Sequence, residues 1–144
     1  MSYDTAAVAA AIVDVLEGLT GMGAAQIGAP ESIGPRVGSY VTMGSQQVIR
    51  KATGITQRES RFFVMMAYRV DGAEATAETV LMGLVDAFFQ AVQDDLTLAG
   101  TVHSTEISSQ AADEPEYQLR AGKEHREYPI VLIVIQRSSY AVNP

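Results

Sequence analysis

A run of apolar residues late in the chain, Tyr128 to Arg137 (YPIVLIVIQR), places the strongest constraint on the fold. Side chains alternate between the two faces of a β-strand, so both faces of this segment are apolar. Arg61 to Val70 (RFFVMMAYRV) has the same character, and the following Asp71-Gly72 predicts a turn. A sheet with one face in water does not carry such strands. The sequence therefore predicts a sheet that is buried on both faces.

Two further segments have the 3.6-residue periodicity of amphipathic helices. The first runs from Asp4 to Leu19, with Ser2 or Asp4 as its cap, and the second runs from Glu74 to Asp95. Glycine and proline are frequent from Gly18 to Pro35, which predicts a long irregular connection. Shorter strands are predicted at Gln47–Ala52, Gly100–Ser109 and Glu116–Arg120.

These elements predict one α+β domain over residues 1–144, a length typical of a single domain. Its architecture is an antiparallel sheet of about four strands with two helices packed on one face. Two helices can cover only one face, so the other face needs a neighbouring subunit or, alternatively, loops of the same chain. The subunit-interface candidates on the two apolar strands are Phe62, Val64, Met66, Tyr68, Ile130, Leu132 and Val134.

The composition argues against several classes of function. Cysteine is absent, which excludes disulfides, thiolate metal sites and cysteine nucleophiles. A net charge of −7 argues against a protein that grips nucleic acid through its phosphates, but not against one that lets DNA slide past. The N-terminal segment has acids where a secretory signal would be basic, and no run of about 18 apolar residues occurs. These features predict a soluble protein without a cleaved leader.

Recognisable catalytic chemistry is also missing from the sequence. Neither His103 nor His125 has a partner at metal-ligand spacing, and each is best interpreted as a polar strand or loop residue. Gly21-Met22-Gly23 follows a helix rather than a strand, which is the wrong context for a dinucleotide loop. We therefore expect a protein that is not an enzyme and that needs no metal and no cofactor.

The order of the elements resembles that of the tail terminator proteins of long-tailed bacteriophages. The resemblance spans nearly the whole chain and is carried by RFFVMMAYRVDGAEATAETVLMGLVDAFFQAVQDD, LTLAGTVHSTEIS and KEHREYPIVLIVIQR. In that family a strand leads into the long helix and a short segment, similar to Thr97–Val102 here, begins the next strand. An arginine and an aromatic residue precede the last apolar strand, as Arg126-Glu127-Tyr128 does here.

The resemblance implies a structural virion protein, assembled in the host cytoplasm and located at the junction of tail and neck. Six copies would form a ring that caps the tail tube, ends its elongation and joins it to a head-neck protein of the stopper or connector type. DNA would pass through the hole without specific binding, and no membrane partner is expected. An acid-lined hole would repel phosphate and let the genome pass.

Two groups of charged residues are candidates for contacts of such a ring. The cations Arg50, Lys51, Arg58 and Arg61 have few acids nearby and are candidates for binding a partner ring, with an exposed loop and strand edge as the alternative. The spacer from Gln110 to Gly122 has little apolar surface, which predicts a projecting hairpin or loop. Its candidate DNA-channel or tube-facing residues are Asp113, Glu114 and Glu116, with a merely solvated loop as the alternative.

Two other functions remain open at this point. A neck stopper or a tail tube subunit belongs to the same assembly, but a tube subunit is expected to have more β-structure and a single helix. A small dimeric α+β domain that binds a ligand or acts as an enzyme would carry an apolar pocket and form a stable dimer.

Overall fold

The computed structural model of the protein describes residues 3–30, 37–52, 54–70, 74–108, 116–120 and 123–139. The α+β class is confirmed, with two helices and a mixed sheet. In chain order the elements are α1 (Thr5–Glu17), β1 (Ala24–Ile27), β2 (Val37–Ala52), β3 (Ile55–Arg69), α2 (Glu74–Asp94), β4 (Ser104–Ile107), β5 (Glu116–Arg120) and β6 (Lys123–Ser139). The predicted turn at Asp71-Gly72 lies outside the described residues.

The sheet has the strand order β1-β2-β3-β6, and β4 and β5 both pair with the remaining edge of β6. Strand β5 lies along the first part of β6 and β4 along the later part. All pairings are antiparallel except β1 with β2. The sheet is therefore mixed and larger than the predicted antiparallel sheet of about four strands. Strand β1 lies in the glycine- and proline-rich segment that is predicted to be irregular, and AAQI has neither alternation nor β-branched bulk before its last residue.

Strands β2 and β3 form a hairpin much longer than predicted, since β2 begins at Val37 rather than at Gln47. Its 16 residues span about 50 Å at the usual strand rise. The register with β3 shifts between Met43 and Gln46, which is a β-bulge. At Gly44 an added Cβ would lie 2.8 Å from the ring of Phe63 and 3.0 Å from a backbone oxygen. The packing thus favours glycine at this position. Because this glycine interrupts the alternation of side chains, the strand is not recognisable in the sequence.

Both helices pack on the same face of the sheet. Helix α1 contacts β1 and β2, whereas α2 contacts β3, β4 and β6. Asp4 caps α1 by accepting a hydrogen bond from the backbone N–H of Ala7 at 3.0 Å. The buried stripes of the helices, represented by Ile12 on α1 and Phe88 on α2, join one apolar core with the sheet.

The residues predicted at a subunit interface belong to this core instead. Their pairing places them together, since Phe62 lies opposite Leu132 and Val64 opposite Ile130. The exposed fractions are Phe62 1%, Val64 0%, Met66 0%, Tyr68 4%, Ile130 3%, Leu132 0% and Val134 0%. The interface prediction for these residues is wrong because strand alternation separates two faces but does not say which face the helices cover.

The opposite face of the sheet is also largely shielded within a single chain. Val131 and Ile133 are only 5% and 7% exposed, and Phe63 and Met65 are half-buried. The prediction of two buried faces is therefore confirmed for these strands. A neighbouring subunit is not needed to explain it.

Helix α2 is both long and apolar. By length and composition alone, Ala75–Asp94 could cross a membrane, with a mean hydropathy of 1.3. Its apolar side chains at Ala77, Leu81, Leu84 and Phe88 are nevertheless buried against the sheet. This arrangement is typical of the core helix of a globular domain.

A tight loop after α2 replaces the strand that was predicted to start at Gly100. The carboxylate of Asp95 accepts hydrogen bonds from the hydroxyl of Thr97 at 2.7 Å and from the backbone N–H groups of Thr97 and Ala99. Leu98, Ala99 and Gly100 have φ angles of 48°, 56° and 82°. The loop delays the start of β4 to Ser104, so the segment Thr97–Val102 shapes a turn rather than a strand.

Candidate assembly surfaces

The far half of the β2–β3 hairpin carries the most exposed apolar side chains of the sheet. We define the arm as residues 43–52 of β2 with residues 55–60 of β3. Met43 is 60% exposed and Val48 59%, while Ile55 is 40% exposed. The arm therefore presents apolar surface that the helices leave uncovered.

Polar contacts fix the part of the arm near the hairpin turn to the start of α1. The guanidinium of Arg58 donates hydrogen bonds to Thr5 Oγ1 and Gln136 Oε1, both at 2.8 Å. It also lies 4.4 Å from the centroid of the Tyr3 ring, a favourable cation–π geometry. The hydroxyl groups of Tyr3 and Thr56 are 2.7 Å apart. These contacts hold the arm in a defined direction.

The predicted cluster of four cations does not form one surface. Arg58 is committed to the contacts inside the chain just described. Arg61 is exposed on the other face of the sheet, where it pairs with Ile133. Arg50 and Lys51 lie in the last part of β2, and their side chains are outside the described residues. Of the four cations, Arg50 and Lys51 remain candidates for a contact with a partner, because they lie near the end of the arm.

An apolar groove opens where α1 stops covering the edge of the sheet. It encloses about 570 Å³ and is lined by Thr5, Ala6, Ala9, Ile27, Val41, Thr42, Met43, Gln46 and Phe62. Ile27 and Met43 on its rim are 57% and 60% exposed. The helix contributes only the small side chains of Ala6 and Ala9 to the apolar lining. Consequently the groove is wide enough to accept a large apolar side chain.

A second exposed apolar surface lies on the side of α2 that faces away from the sheet. We define the outer stripe of α2 as Met82, Asp86 and Phe89, which share one side of the helix at spacings of four and three residues. Met82 is 63% exposed and Phe89 36%, and Leu96 just beyond the helix is 46% exposed. The sequence signal for this stripe is the pair Phe88-Phe89, because adjacent residues cannot both face the core.

The arm and helix α2 differ in the sign of their formal charge. The arm contains Arg50, Lys51 and Arg58 against Glu59, a net charge of +2. Helix α2 contains four acids and no lysine or arginine, a net charge of −4. No lysine or arginine occurs between residues 70 and 119. Helix α2 is thus an acidic element of the chain.

The motif Arg126-Glu127-Tyr128 has a structural explanation in β6. Arg126 forms an ion pair with Glu78 of α2 at 2.6 Å and so ties the helix to the sheet. Tyr128 packs against the core. Glu127 lies on the opposite face, 2% exposed, and accepts a hydrogen bond from Tyr40 at 2.9 Å. These three residues make contacts within the fold. The burial of Glu127 could not be predicted from the sequence.

The two histidines lie in different environments. His125 is 1% exposed in β6, so it is a buried strand residue. His103 is exposed beside a cavity of about 680 Å³ that Asp4, Thr97 and Arg137 also line. The carboxylate of Asp4 is already used as the cap of α1. In the part of the chain that the structure describes, no group of three or more histidine or acidic residues could hold a metal ion.

Most of the acidic spacer cannot be placed. Asp113 and Glu114 lie outside the described residues. Glu116 is the first residue of β5, and its side chain is outside them as well. Part of the predicted loop, Glu116–Arg120, is therefore a strand paired with β6, as the short-strand prediction had it.

The sequence matches no protein-family model and no curated protein.

Proposed function

We propose that the chain is a structural subunit of a ring of about six copies that caps the tail tube of a long-tailed bacteriophage. In this role it ends elongation of the tube and joins the tail to the neck of the head. The observation that carries the proposal is the presence of two different exposed apolar surfaces, the groove with the arm and the outer stripe of α2. The order of helices and strands, which resembles that of tail terminators, supplies the identity of the ring.

Two unlike surfaces favour a head-to-tail assembly over a symmetric dimer. The groove lies beside β1 and β2, and α2 lies over β3, β4 and β6. A two-fold dimer pairs one patch with itself, whereas an interface between two different patches builds a closed ring or an open filament. A ring satisfies both surfaces on every copy, so no apolar patch remains in water.

The charge of the chain agrees with a passage for DNA rather than a binding site. Seventeen acids against ten bases disfavour tight contact with phosphate. A ring built from such subunits lets the genome slide through its hole with little retention.

The decisive experiment images the purified protein by negative stain and measures its mass by sedimentation at several concentrations. We expect rings with a central hole and a mass of about six subunits, formed alone or on added tail tubes. Tubes incubated with the protein during assembly should stop growing at a defined length. A protein that stays monomeric or dimeric and does not bind tail tubes would contradict the proposal.

The same experiment separates the rival functions within the assembly. A tube subunit would form long polymers by itself. A neck stopper would leave tail length unchanged when removed, because it acts after the tail is complete. Removal of a terminator instead gives tails of uncontrolled length.

A ligand-binding domain is a second candidate, favoured by the cavity of about 680 Å³ beside His103. This function predicts a stable dimer and a thermal shift with small molecules that combine apolar and anionic groups, because Arg137 and Val102 line the cavity. A compound screen by thermal shift, with Arg137→Ala as control, tests it directly.

A further inference from the structure

We propose that Met43 and Met82 are the sites at which peroxides oxidise the folded chain, and that this modification weakens assembly without unfolding the domain. The oxidation sites follow from the structure of a single chain and need no partner. The consequence for assembly rests on the proposed function, because each of the two candidate assembly surfaces carries one of these methionines.

The methionines of the chain differ in their access to solvent. Met43 is 60% exposed and Met82 63%, whereas Met66 has no exposed surface. Met22 and Met65 are half-buried. A peroxide reaches Met66 only when the core opens, so the exposed thioethers react first in the native protein.

The sulfur atom of Met43, and not only its methylene groups, lies near the solvent. The side-chain amide of Gln46 donates a hydrogen bond to this sulfur at 3.0 Å, and Gln46 is itself exposed. Met82 lies on the outer stripe of α2, on the side of the helix that faces away from the sheet. Both thioethers can therefore react without a movement of the fold.

The reaction transfers one oxygen atom from the peroxide to sulfur. A lone pair of the thioether attacks one oxygen of hydrogen peroxide, the O–O bond breaks, and an S=O bond forms. The proton of the attacked oxygen passes to the departing hydroxide, which becomes water. Sulfur loses two electrons and the peroxide gains them. The product, methionine sulfoxide, is polar where the thioether was apolar.

The fold tolerates a sulfoxide at both positions. At Met43 the amide of Gln46, which already donates to sulfur, is close enough to donate to the new oxygen. At Met82 solvent hydrates the new oxygen, because the side chain is mostly exposed. Neither change buries an unpaired polar atom, so the cost to folding is small.

The same change is unfavourable for an apolar interface. Met43 lines the groove beside Ile27 and Phe62. Met82 has the largest exposed fraction of the outer stripe. A sulfoxide covered by apolar side chains loses its hydrogen bonds to water and gains none. Oxidation therefore makes both candidate assembly surfaces polar and leaves the core apolar.

Peptide mapping by mass spectrometry tests the oxidation sites on the intact, dilute chain. A time course with hydrogen peroxide should show Met43 and Met82 oxidised at least about tenfold faster than Met66. Fragment ions separate Met66 from its neighbour Met65, and Met1, which lies outside the described residues, is followed in its own peptide. Oxidation of Met66 as fast as that of Met43 or Met82 would overturn the assignment.

Leucine variants test the consequence for assembly, because leucine keeps a similar apolar volume and cannot be oxidised. Sedimentation with tail tubes, before and after peroxide, measures association. The wild-type chain should lose association about tenfold or more, and Met43→Leu combined with Met82→Leu should keep it within about twofold. Met22→Leu is the matched control. It removes a methionine that belongs to neither surface, so it should lose association as the wild type does.

Thermal unfolding separates loss of contact from loss of fold. The oxidised wild-type chain should unfold within about 3 °C of the untreated chain. Methionine sulfoxide reductases of both stereospecificities should restore its association. Unfolding of the chain when only Met43 and Met82 are oxidised would overturn the inference.

The outcomes distinguish this inference from the proposed function. Rings that form equally well from the oxidised chain would leave the proposed function intact and overturn the consequence for assembly. Absence of rings and of tube capping by the untreated chain would overturn the proposed function together with that consequence. The peptide map decides the oxidation sites in either case.

Discussion

The two halves of strand β3 are stabilised in different ways although they belong to one continuous strand. From Phe62 to Tyr68, every second side chain is buried under the helices, with exposed fractions of 4% or less. From Ile55 to Ser60 the strand belongs to the arm and is held by hydrogen bonds through Arg58 and Thr56. The comparison shows that regular backbone pairing extends well beyond the apolar core. The inner half is held by apolar packing, and the outer half is held mainly by polar contacts.

The largest expected effect belongs to the inner half. Phe62→Ala should lower the free energy of unfolding by about 3–5 kcal/mol, because it opens a cavity in a core where Phe62 is 1% exposed. Urea unfolding at equilibrium measures the loss. The control on the outer half is Ile55→Ala, which should cost less than about 1 kcal/mol, since Ile55 is 40% exposed. Equal losses for the two variants would remove the distinction between the halves.

The polar contacts near the hairpin end of the arm should have the next largest effect. Arg58→Ala removes two charge-assisted hydrogen bonds and the contact with Tyr3, for a loss of about 2 kcal/mol. Arg58→Lys keeps the charge but not the planar group, so it should recover less than half of the loss. Hydrogen exchange of the amides at residues 55–60 should rise in both variants. Full stability of Arg58→Lys would mean that charge alone holds the arm.

A matched pair of glycines tests the bulge in β2. Gly44→Ala should destabilise the protein by about 1–2 kcal/mol, because its Cβ would collide with the ring of Phe63 and with a backbone oxygen. Gly83→Ala has no atom within 4 Å of the new Cβ and lies inside α2, so it should stabilise by about 0.5–1 kcal/mol. Thermal unfolding of both variants gives the two signs. A stabilising Gly44→Ala would show that the hairpin relaxes easily at the bulge.

A smaller effect is expected from Asp95 at acid pH. The hydroxyl of Thr97 and then the N–H groups of Ala99 and Thr97 lower the pKa of Asp95 below its ordinary value of 3.8. A carboxylate with a lowered pKa adds stability above the pKa of the unfolded chain and loses it as the pH falls through the folded value. The loss should therefore begin below about pH 4 and be absent at neutral pH. An NMR titration of Asp95 measures this pKa, and a midpoint above 3.8 would contradict the loop geometry.

No effect on assembly is expected from His103→Gln. His103 is exposed, and the proposed structural role requires no catalytic step. His125→Gln is not a matched control, because His125 is buried and its replacement disturbs packing. Loss of tail capping in a folded, ring-forming His103→Gln variant would favour a ligand-binding function instead.

Much of the fold could be predicted because it depends on local periodicity. The predicted helices Asp4–Leu19 and Glu74–Asp95 differ from α1 and α2 by at most two residues at either end, and β5 has the predicted bounds. The first part of β2 could not be predicted, since Gly38 and Gly44 break its alternation, and the reason for Gly44 lies in the neighbouring strand β3. The face covered by the helices could not be predicted either, because both faces of β3 and β6 are apolar.

The candidate assembly surfaces depend on contacts that are distant in the sequence. Arg58 meets Gln136, and Tyr40 meets Glu127, 78 and 87 residues apart. The positions of the cations in the sequence do not show that Arg58 binds groups within the chain. They also do not show that Arg61 lies on the opposite face of the sheet. The outer stripe of α2 could in principle have been predicted from the sequence, since Phe89 directly follows the buried Phe88 and must lie on a different side of the helix.

The central position of β6 has a consequence for the order in which the chain can fold. Strand β3 is paired on one side with its close neighbour β2 but on the other with β6, whose partner residues lie 56 to 84 positions later. During synthesis the hairpin and both helices leave the ribosome before β6 does, so until then β3 has an open edge and the core lacks Ile130, Leu132 and Val134. Closure of the sheet must wait for such long-range pairing, which slows folding relative to a domain built from local contacts. A nascent chain that stops before Lys123 would expose that edge and be prone to aggregate.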